Sequence, residues 1–302
     1  MDIVTIACER DIQDLLLQAH SIDKFIEKPC RHWITVEDES FTPEEWYRLL
    51  SPYYTRHKLN LAFSKRENYS HFDPPFTFGW RRQQMLKLTT AAQSLDDTVL
   101  VLDSKNIFVR PTDLDEWPFK HGNGRYINPD ERSEMYLPRK WTDFIASKTG
   151  MTEPKRHPGV LEAPFAATTS YVKTAIEHPL FEYLFMQEDG VIPMAEWHYY
   201  YFFVDDALLD SPEYLVCSAL DHLSIDGNVD EYVNEQIQFC LSINSPTHGI
   251  HRQVRKMMSD SKPTYSDWLV SLGLNKTLVD NYVYYEMTDT TWGQNLGAWR
   301  NW

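Results

Sequence analysis

A strand, a helix and a second strand follow one another at the start of the chain. Residues 2–8 (DIVTIAC) are a short apolar, β-branched run. Residues 12–25 carry apolar side chains at helical spacing, and residues 32–36 are again strand-like. This succession is typical of a right-handed crossover between parallel strands. It predicts an α/β fold built on a parallel sheet.

Later segments extend the same pattern. Further strands are predicted at 58–63, 98–102 and 107–110, and residues 165–168 lead into a later helix. Helices are predicted to begin near Thr42 and to cover 79–94, 139–148, 170–187, 229–243, 250–258, 265–272 and 276–285. Together they indicate a mostly parallel, Rossmann-type sheet flanked by helices, with a helix-rich C-terminal portion.

No low-complexity linker divides the 302 residues. Residues 112–160 are long, irregular and proline-containing, which suggests an insertion or lid. We expect one catalytic-type domain over residues 1–255 and a helical extension over residues 256–302 that packs on it.

Composition excludes several classes of protein. The net charge is −15, from 29 Lys and Arg against 44 Asp and Glu, which disfavours nucleic acid as the main partner. No apolar run approaches the length of a membrane span, and Met1-Asp2-Ile3-Val4 does not resemble a signal peptide, so we expect a soluble, cytoplasmic protein. The four cysteines form no CxxC pair. Nucleophile-elbow, Walker, GxGxxG and HExxH motifs are absent.

The first candidate site is the tetrad Asp103-Ser104-Lys105-Asn106, which ends the buried strand 98–102. Ligands of open α/β sheets bind at the carboxyl ends of strands. A carboxylate there can meet a divalent cation and the diphosphate that the cation bridges. The alternative is an ordinary turn-forming aspartate.

The second candidate is the helix that begins near Gly79. Arg81 and Arg82 in its first turn and Lys87 further on can neutralise phosphate, and Gln84 shares a polar face with Lys87. A solvated amphipathic helix is the alternative.

Two further segments contain titratable side chains. Glu196 lies among aromatic residues, so it is either a general base of raised pKa, a ligand for a sugar hydroxyl, or an acid that complements a helix dipole. Trp197 and Tyr200 beside it are suited to stacking on a sugar. His248 and His251 have the spacing of two metal ligands on one helix face, but most such pairs are ordinary surface residues.

The ordered set of these segments resembles a family of GT-A-like glycosyltransferases of unknown substrate found in bacteria and phages. The segments are DIVTIACERD, GWRRQQMLKL, VLVLDSKNIFVRP, PFAATTSYV, AEWHYYYFF and GIHR. The resemblance covers most of residues 2–255, and no single motif is diagnostic.

This resemblance implies a nucleotide-sugar donor, a carbohydrate acceptor and a site for Mn²⁺ or Mg²⁺. Donor contacts are implied at Thr5, Ala7, Glu9, Arg10, Arg81, Arg82, Gln84, Lys87 and Ser104. The Asp-x-Asp loop of the family matches Asp103-Ser104-Lys105. Glu196 matches a carboxylate near the acceptor, with Trp197 and Tyr200 beside it, and His251 matches a late metal ligand.

One position departs from the family pattern. Lys105 replaces the second aspartate of the loop, which exchanges a negative metal ligand for an ammonium group. Three alternatives follow from this replacement. Asp103 and His251 could still bind metal, Lys105 could replace the metal as counter-charge for the leaving diphosphate, or the site could be inactive. We favour the second alternative.

The leading hypothesis is therefore a glycosyltransferase with Glu196, Asp103 and Lys105 as catalytic residues. The alternative is a catalytically silent carbohydrate- or nucleotide-sugar-binding protein that kept the fold. The charge of −15 disfavours a third hypothesis, transfer to DNA.

Overall fold

The computed structural model describes residues 1–37, 41–64, 78–116, 137–152, 163–185, 196–204, 219–220 and 228–284. Its strands are β1 (Asp2–Ala7), β2 (Arg31–Val36), β3 (Lys58–Phe63), β4 (Thr98–Asp103), β5 (Ile107–Phe108), β6 (Phe165–Thr168), β7 (Ala219–Leu220) and β8 (Thr247–Ile250). Its helices are α1 (Ile12–Phe25), α2 (Pro43–Leu50), α3 (Phe78–Ala91), α4 (Leu137–Thr149), α5 (Thr169–Glu177), α6 (Phe181–Phe185), α7 (Glu196–Tyr201), α8 (Val229–Ser242), α9 (Arg252–Met257), α10 (Ser261–Ser271) and α11 (Lys276–Tyr284).

The main sheet has the strand order β3-β2-β1-β4-β6. Its first four strands are parallel, and β6 runs antiparallel to β4. A small second sheet has the order β5-β8-β7. The prediction of a mostly parallel α/β sheet flanked by helices is confirmed.

Side-chain alternation along β1 explains why helices cover both faces of the sheet. Ile3 and Ala7 lie in one hydrophobic core with α1, whereas Val4 and Ile6 lie in a second core with α3, α5 and α7. All six residues of β1 are buried, as expected of a parallel strand covered on both faces.

Several predicted elements have other bounds in the structure. The strand predicted at 107–110 ends at Phe108, and the helix predicted at 265–272 begins at Ser261. Two further helices differ for a clear physical reason. The helix predicted at 170–187 is divided into α5 and α6, because Pro179 lacks a backbone N–H and keeps His178 extended, with φ −65° and ψ 132°. The helix predicted at 250–258 begins only at Arg252, because residues 247–250 form the β8 strand.

The predicted lid and extension are described only in part. Residues 117–136, 153–162 and 285–302 lie outside the described residues. Within the extension, Leu278 and Tyr282 of α11 share a core with α1. None of the described helices is both long and apolar enough to cross a membrane.

Candidate active site

The carboxyl ends of three neighbouring parallel strands meet at one edge of the sheet. Ala7 of β1 pairs with Val36 of β2, and Ile6 pairs with Asp103 of β4. The chain then turns into polar segments, which contain Glu9 and Glu37 after the first two strands. This edge is the part of an open α/β sheet where ligands bind.

The loop Asp103–Asn106 is fixed from within the protein. The Asn106 Oδ1 atom accepts a hydrogen bond from the Asp103 backbone N–H at 2.8 Å. The Gln18 amide nitrogen donates to the carbonyl oxygens of Asp103 and Asn106, each at 2.7 Å. Gln18 is itself fully buried and accepts from the Thr5 hydroxyl at 2.9 Å. The loop backbone therefore rests on a hydrogen-bonded support that reaches into the core.

Four charged side chains form one network above this loop. The Lys87 Nζ atom lies 3.0 Å from Asp103 Oδ1 and 2.9 Å from Glu196 Oε1. The Lys105 Nζ atom lies 3.0 Å from Asp103 Oδ2. Two ammonium groups thus face two carboxylates. Lys87 comes from α3, Glu196 from α7, and Asp103 and Lys105 from the end of β4 and the loop that follows it. We call these four residues the lysine–carboxylate network.

The network is graded in exposure. Side-chain exposure is 3% for Glu196 and 9% for Lys87, against 21% for Lys105 and 24% for Asp103. Lys87 is therefore not part of a solvated helix face, which was one alternative for α3. Gln84 is buried beside it, and with its amide nitrogen facing Glu196 it donates to Oε1 at 2.8 Å.

Burial and ion pairing set the protonation of the network. Burial alone would raise the pKa of Asp103, but the ammonium groups of Lys105 and Lys87 outweigh it and hold that pKa well below its usual range. Burial raises the pKa of Glu196, and Lys87 opposes this only in part. For Lys87, the two carboxylates outweigh desolvation and raise the pKa. Asp103 therefore stays ionised, whereas the raised pKa of Glu196 makes its carboxylate a stronger proton acceptor than that of an exposed glutamate.

Arg82 occupies a second buried ion pair. Its guanidinium donates to the carboxylate of Glu37, the residue that follows β2. Burial raises the pKa of Glu37, and Arg82 opposes that rise. The Arg81 side chain lies outside the described residues.

The predicted donor contacts after β1 divide into two groups. Thr5 and Ala7 are fully buried, and the Thr5 hydroxyl is hydrogen-bonded to His32 Nε2 at 2.9 Å. Glu9 is exposed and Arg10 partly exposed, in a short 3-10 turn at the sheet edge. Glu9 and Arg10 are thus the accessible pair. Ser104 of the neighbouring loop is 8% exposed.

The aromatic residues beside Glu196 belong to the core. The Trp197 ring is fully buried and stacks on Phe165, with 3.8 Å between ring centroids. Tyr200 is 1% exposed, and its hydroxyl accepts from the Thr168 backbone N–H at 2.9 Å. A ring enclosed by protein cannot stack on a sugar, so the prediction that Trp197 and Tyr200 bind the acceptor is corrected to a packing role.

The two histidines do not share a helix face. His248 lies in β8, is 1% exposed, and has its pKa lowered to about 4 by burial. His251 caps α9, where its Nδ1 atom accepts from the Gln253 backbone N–H at 3.3 Å. The helical metal pair suggested by their spacing is therefore wrong, because a strand ends between them.

One hydrogen-bonded link brings the β8 end close to the Asp103 loop. The Tyr282 hydroxyl accepts from the Ile250 backbone N–H at 2.9 Å and donates to the Lys105 carbonyl oxygen at 3.2 Å. His251 follows Ile250 directly. The structure thus places His251 in the segment that Tyr282 joins to the loop.

The described residues do not fit a divalent-cation site on Asp103 and His251. Both carboxylate oxygens of Asp103 already accept from ammonium groups. A dication at Asp103 would lie against the ammonium groups of Lys87 and Lys105, and both positive charges would repel it. No cluster of three or more His, Cys, Asp or Glu suited to a metal occurs in the described part of the chain.

Sequence reasoning missed three residues that organise this edge: Gln18, Glu37 and Tyr282. Gln18 carried a usable signal, because it is a polar residue at a core-facing position of α1, three residues after Leu15 and four before Ile22. Glu37 directly follows a strand, which was also readable. Tyr282 had no local signal, because the partners of its hydroxyl, Ile250 and Lys105, lie 32 and 177 residues away in the sequence.

The described fold is similar to that of solved glycosyltransferases. The galactosyltransferase LgtC, crystallised with donor and acceptor sugar analogs, superposes with a TM-score of 0.50 at 14% identity, over 98% of this chain and 100% of that one. The glycosyltransferase GlyE of Streptococcus pneumoniae has a TM-score of 0.45 at 13% identity, over 94% of this chain and 63% of that one. Mouse xyloside xylosyltransferase 1 has 0.43 at 9% identity, over 84% and 98%. No protein-family model and no curated protein sequence matches the chain. The similarity to LgtC and the mostly parallel sheet flanked by helices show that the chain has a GT-A glycosyltransferase fold.

Proposed function

From this fold we propose that the protein is a glycosyltransferase, which moves a sugar from a nucleoside-diphosphate donor to a hydroxyl of a carbohydrate acceptor. The observation that carries the proposal is the lysine–carboxylate network at the carboxyl end of β4. It combines cations suited to a diphosphate with a buried carboxylate suited to proton transfer, at the ligand-binding edge of a GT-A fold.

The reaction needs groups that stabilise negative charge on the leaving diphosphate and a group that accepts the proton of the acceptor hydroxyl. The bond between the sugar's anomeric carbon and the diphosphate oxygen breaks, and the diphosphate keeps the electron pair. The acceptor oxygen forms the new bond to that carbon and loses its proton. Positive side chains stabilise the charge that develops on the leaving group. Arg10 at the sheet edge is our candidate for further donor contact, and Glu9 lies beside it.

Glu196 is our candidate for the proton acceptor. Burial raises the pKa of its carboxyl, so the carboxylate is more basic than one in water. Its hydrogen bond from Lys87 links proton transfer to the state of Asp103, because Lys87 contacts both carboxylates. An acceptor hydroxyl that reaches Glu196 would meet a base already aligned by this contact.

Donor hydrolysis tests this proposal without knowledge of the acceptor. We would titrate UDP-, GDP-, CDP- and ADP-sugars by calorimetry and then measure release of nucleoside diphosphate. We expect one nucleotide class to bind and to be hydrolysed, and Glu196→Gln to bind donor while losing most turnover. If no nucleotide sugar binds, the glycosyltransferase proposal fails. If Glu196→Gln keeps full turnover, the role of Glu196 as proton acceptor fails.

A pH profile separates a base from a positioning residue. Loss of a base removes the acidic limb of the kcat profile, because that limb reports protonation of the carboxylate. If Glu196 acts only by orienting Lys87, the variant turns over more slowly with an unchanged profile. Glu182→Gln, at an exposed glutamate of α6, is the matched control and should behave like the unsubstituted protein.

One observation favours a second candidate, a nucleotide-sugar-binding protein without turnover. Both oxygens of Asp103 are engaged by lysines, and Glu196 is engaged by Lys87. A ligand would have to displace at least one of these ion pairs before Asp103 or Glu196 could take part in a reaction. Nucleotide-sugar binding without hydrolysis, and without transfer to a panel of oligosaccharides, would support this candidate over the first.

A further inference from the structure

We propose that Lys87 and Lys105 together take the place of a divalent cation, so that this site binds a nucleoside diphosphate without metal. The inference rests on the proposed function and specifies how the donor is held. It starts from the position of Lys105, whose ammonium group lies 3.0 Å from Asp103 Oδ2.

The first observation that supports this inference is that both carboxylate oxygens of Asp103 are paired with lysines. Lys87 occupies Oδ1 and Lys105 occupies Oδ2, each at 3.0 Å. A metal ion could reach this carboxylate only by displacing an ammonium group and then remaining beside it. Two lysines already deliver two positive charges at the same carboxylate, which equals the charge of one Mn²⁺ or Mg²⁺.

Differences in exposure assign separate roles to the two lysines. Lys87 is 9% exposed and bridges two carboxylates, whereas Lys105 is 21% exposed and lies on the loop at the sheet edge. Lys105 is thus the ammonium group that a phosphate can approach. Lys87 is the positioning residue, and it keeps Asp103 compensated when Lys105 turns from the carboxylate to the phosphate.

The backbone of Lys105 is fixed while its side chain is accessible. Its carbonyl oxygen accepts from the Tyr282 hydroxyl at 3.2 Å, and the loop ends are held by Gln18. Only side-chain rotation is needed to move the ammonium group between Asp103 Oδ2 and an incoming phosphate. A lysine is suited to this movement because its ammonium group is a point charge on a flexible stem.

The test is nucleotide binding with and without metal. UDP, GDP, CDP and ADP are each titrated by calorimetry in excess EDTA and again in saturating MnCl₂. We expect one of them to bind with the same Kd in both buffers. Lys105→Ala should weaken that binding by about 10- to 100-fold, the range for loss of one hydrogen bond to a charged group. Lys276→Ala, which removes an exposed lysine paired with Asp280, is the matched control and should leave Kd unchanged.

Restoring the aspartate provides the opposite test. Lys105→Asp recreates an Asp-x-Asp loop, so we expect its nucleotide binding to become dependent on MnCl₂. Electron paramagnetic resonance of Mn²⁺ should detect a bound ion in this variant and none in the unsubstituted protein. If Lys105→Asp does not unfold cooperatively, Lys105→Gln replaces it, and its nucleotide binding should be weakened as in Lys105→Ala.

The outcomes separate this inference from the proposed function. Binding that EDTA abolishes and MnCl₂ restores in the unsubstituted protein overturns the inference and leaves the glycosyltransferase proposal standing. Unchanged binding by Lys105→Ala also overturns the inference. Failure of all four nucleotides to bind in both buffers overturns the glycosyltransferase proposal and the inference with it.

Discussion

Replacing Lys87 with methionine is expected to destabilise the protein mainly through Glu196. Methionine keeps much of the lysine side chain's length but removes the charge. Asp103 would retain Lys105 and is 24% exposed, so part of its charge stays compensated. Glu196 is 3% exposed and would lose its ammonium partner. Removing one member of a buried ion pair costs about 3–5 kcal/mol, and we expect a loss in this range near pH 7.

The loss of stability in Lys87→Met should depend on pH, because the unpaired Glu196 carboxyl can be protonated. Burial already raises the pKa of Glu196 in the folded protein, and loss of Lys87 raises it further. A carboxyl group whose pKa is higher in the folded state is tolerated while protonated, and its burial becomes costly as pH rises through the folded pKa. The destabilisation relative to the unsubstituted protein should therefore be smallest near pH 5 and should increase toward pH 8.

Urea unfolding at several pH values measures the effect. The double variant Lys87→Met/Glu196→Gln should recover most of the lost stability and lose the added pH dependence, because no buried carboxylate remains unpaired at Glu196. Lys276→Met is the control, and loss of its exposed ion pair should cost less than about 1 kcal/mol. A loss below about 1 kcal/mol in Lys87→Met, or one equal at pH 5 and pH 8, would refute the reasoning.

Three other predictions follow from buried contacts. Gln18→Leu leaves two loop carbonyls without their amide donor, so stability should fall by about 2–4 kcal/mol and hydrogen exchange at residues 103–106 should accelerate; unchanged exchange would contradict the support role. Trp197→Ala should cost about 3–5 kcal/mol in urea unfolding, whereas Tyr47→Ala, at 57% exposure, should cost little; similar losses would contradict the packing role. Arg82→Met should destabilise by about 3–5 kcal/mol near pH 7 and by less near pH 5, because Glu37 is then protonated more readily; a pH-independent loss would argue against an unpaired carboxylate as the cause.

Regular segments were predictable because their signals are local. The helix Ile12–Phe25 and the strand Lys58–Phe63 occur within the bounds that apolar spacing predicted. The helix at 170–187 failed because the pattern continued across Pro179, where backbone geometry overrides side-chain periodicity. The start of α9 failed because residues 247–250 pair with distant strands, and such pairing leaves no local trace.

The members of the lysine–carboxylate network could be selected from the sequence, whereas the contacts between them could not. Asp103, Lys87 and Glu196 were each selected from their own segments, yet their shared contacts join residues up to 109 positions apart. The aromatic residues beside Glu196 were misassigned for a related reason. Composition indicates that rings are present, whereas only packing decides whether their faces contact protein or ligand.

Tyr282 of α11 connects the C-terminal helices to the candidate site. Its hydroxyl joins the Lys105 loop to the end of β8, and the guanidinium of Arg255 lies over its ring at 3.9 Å. A chain cut after residue 255 would retain every predicted catalytic side chain but would lose this tether. A cut at the predicted boundary would therefore remove the side chain that joins the Lys105 loop to β8.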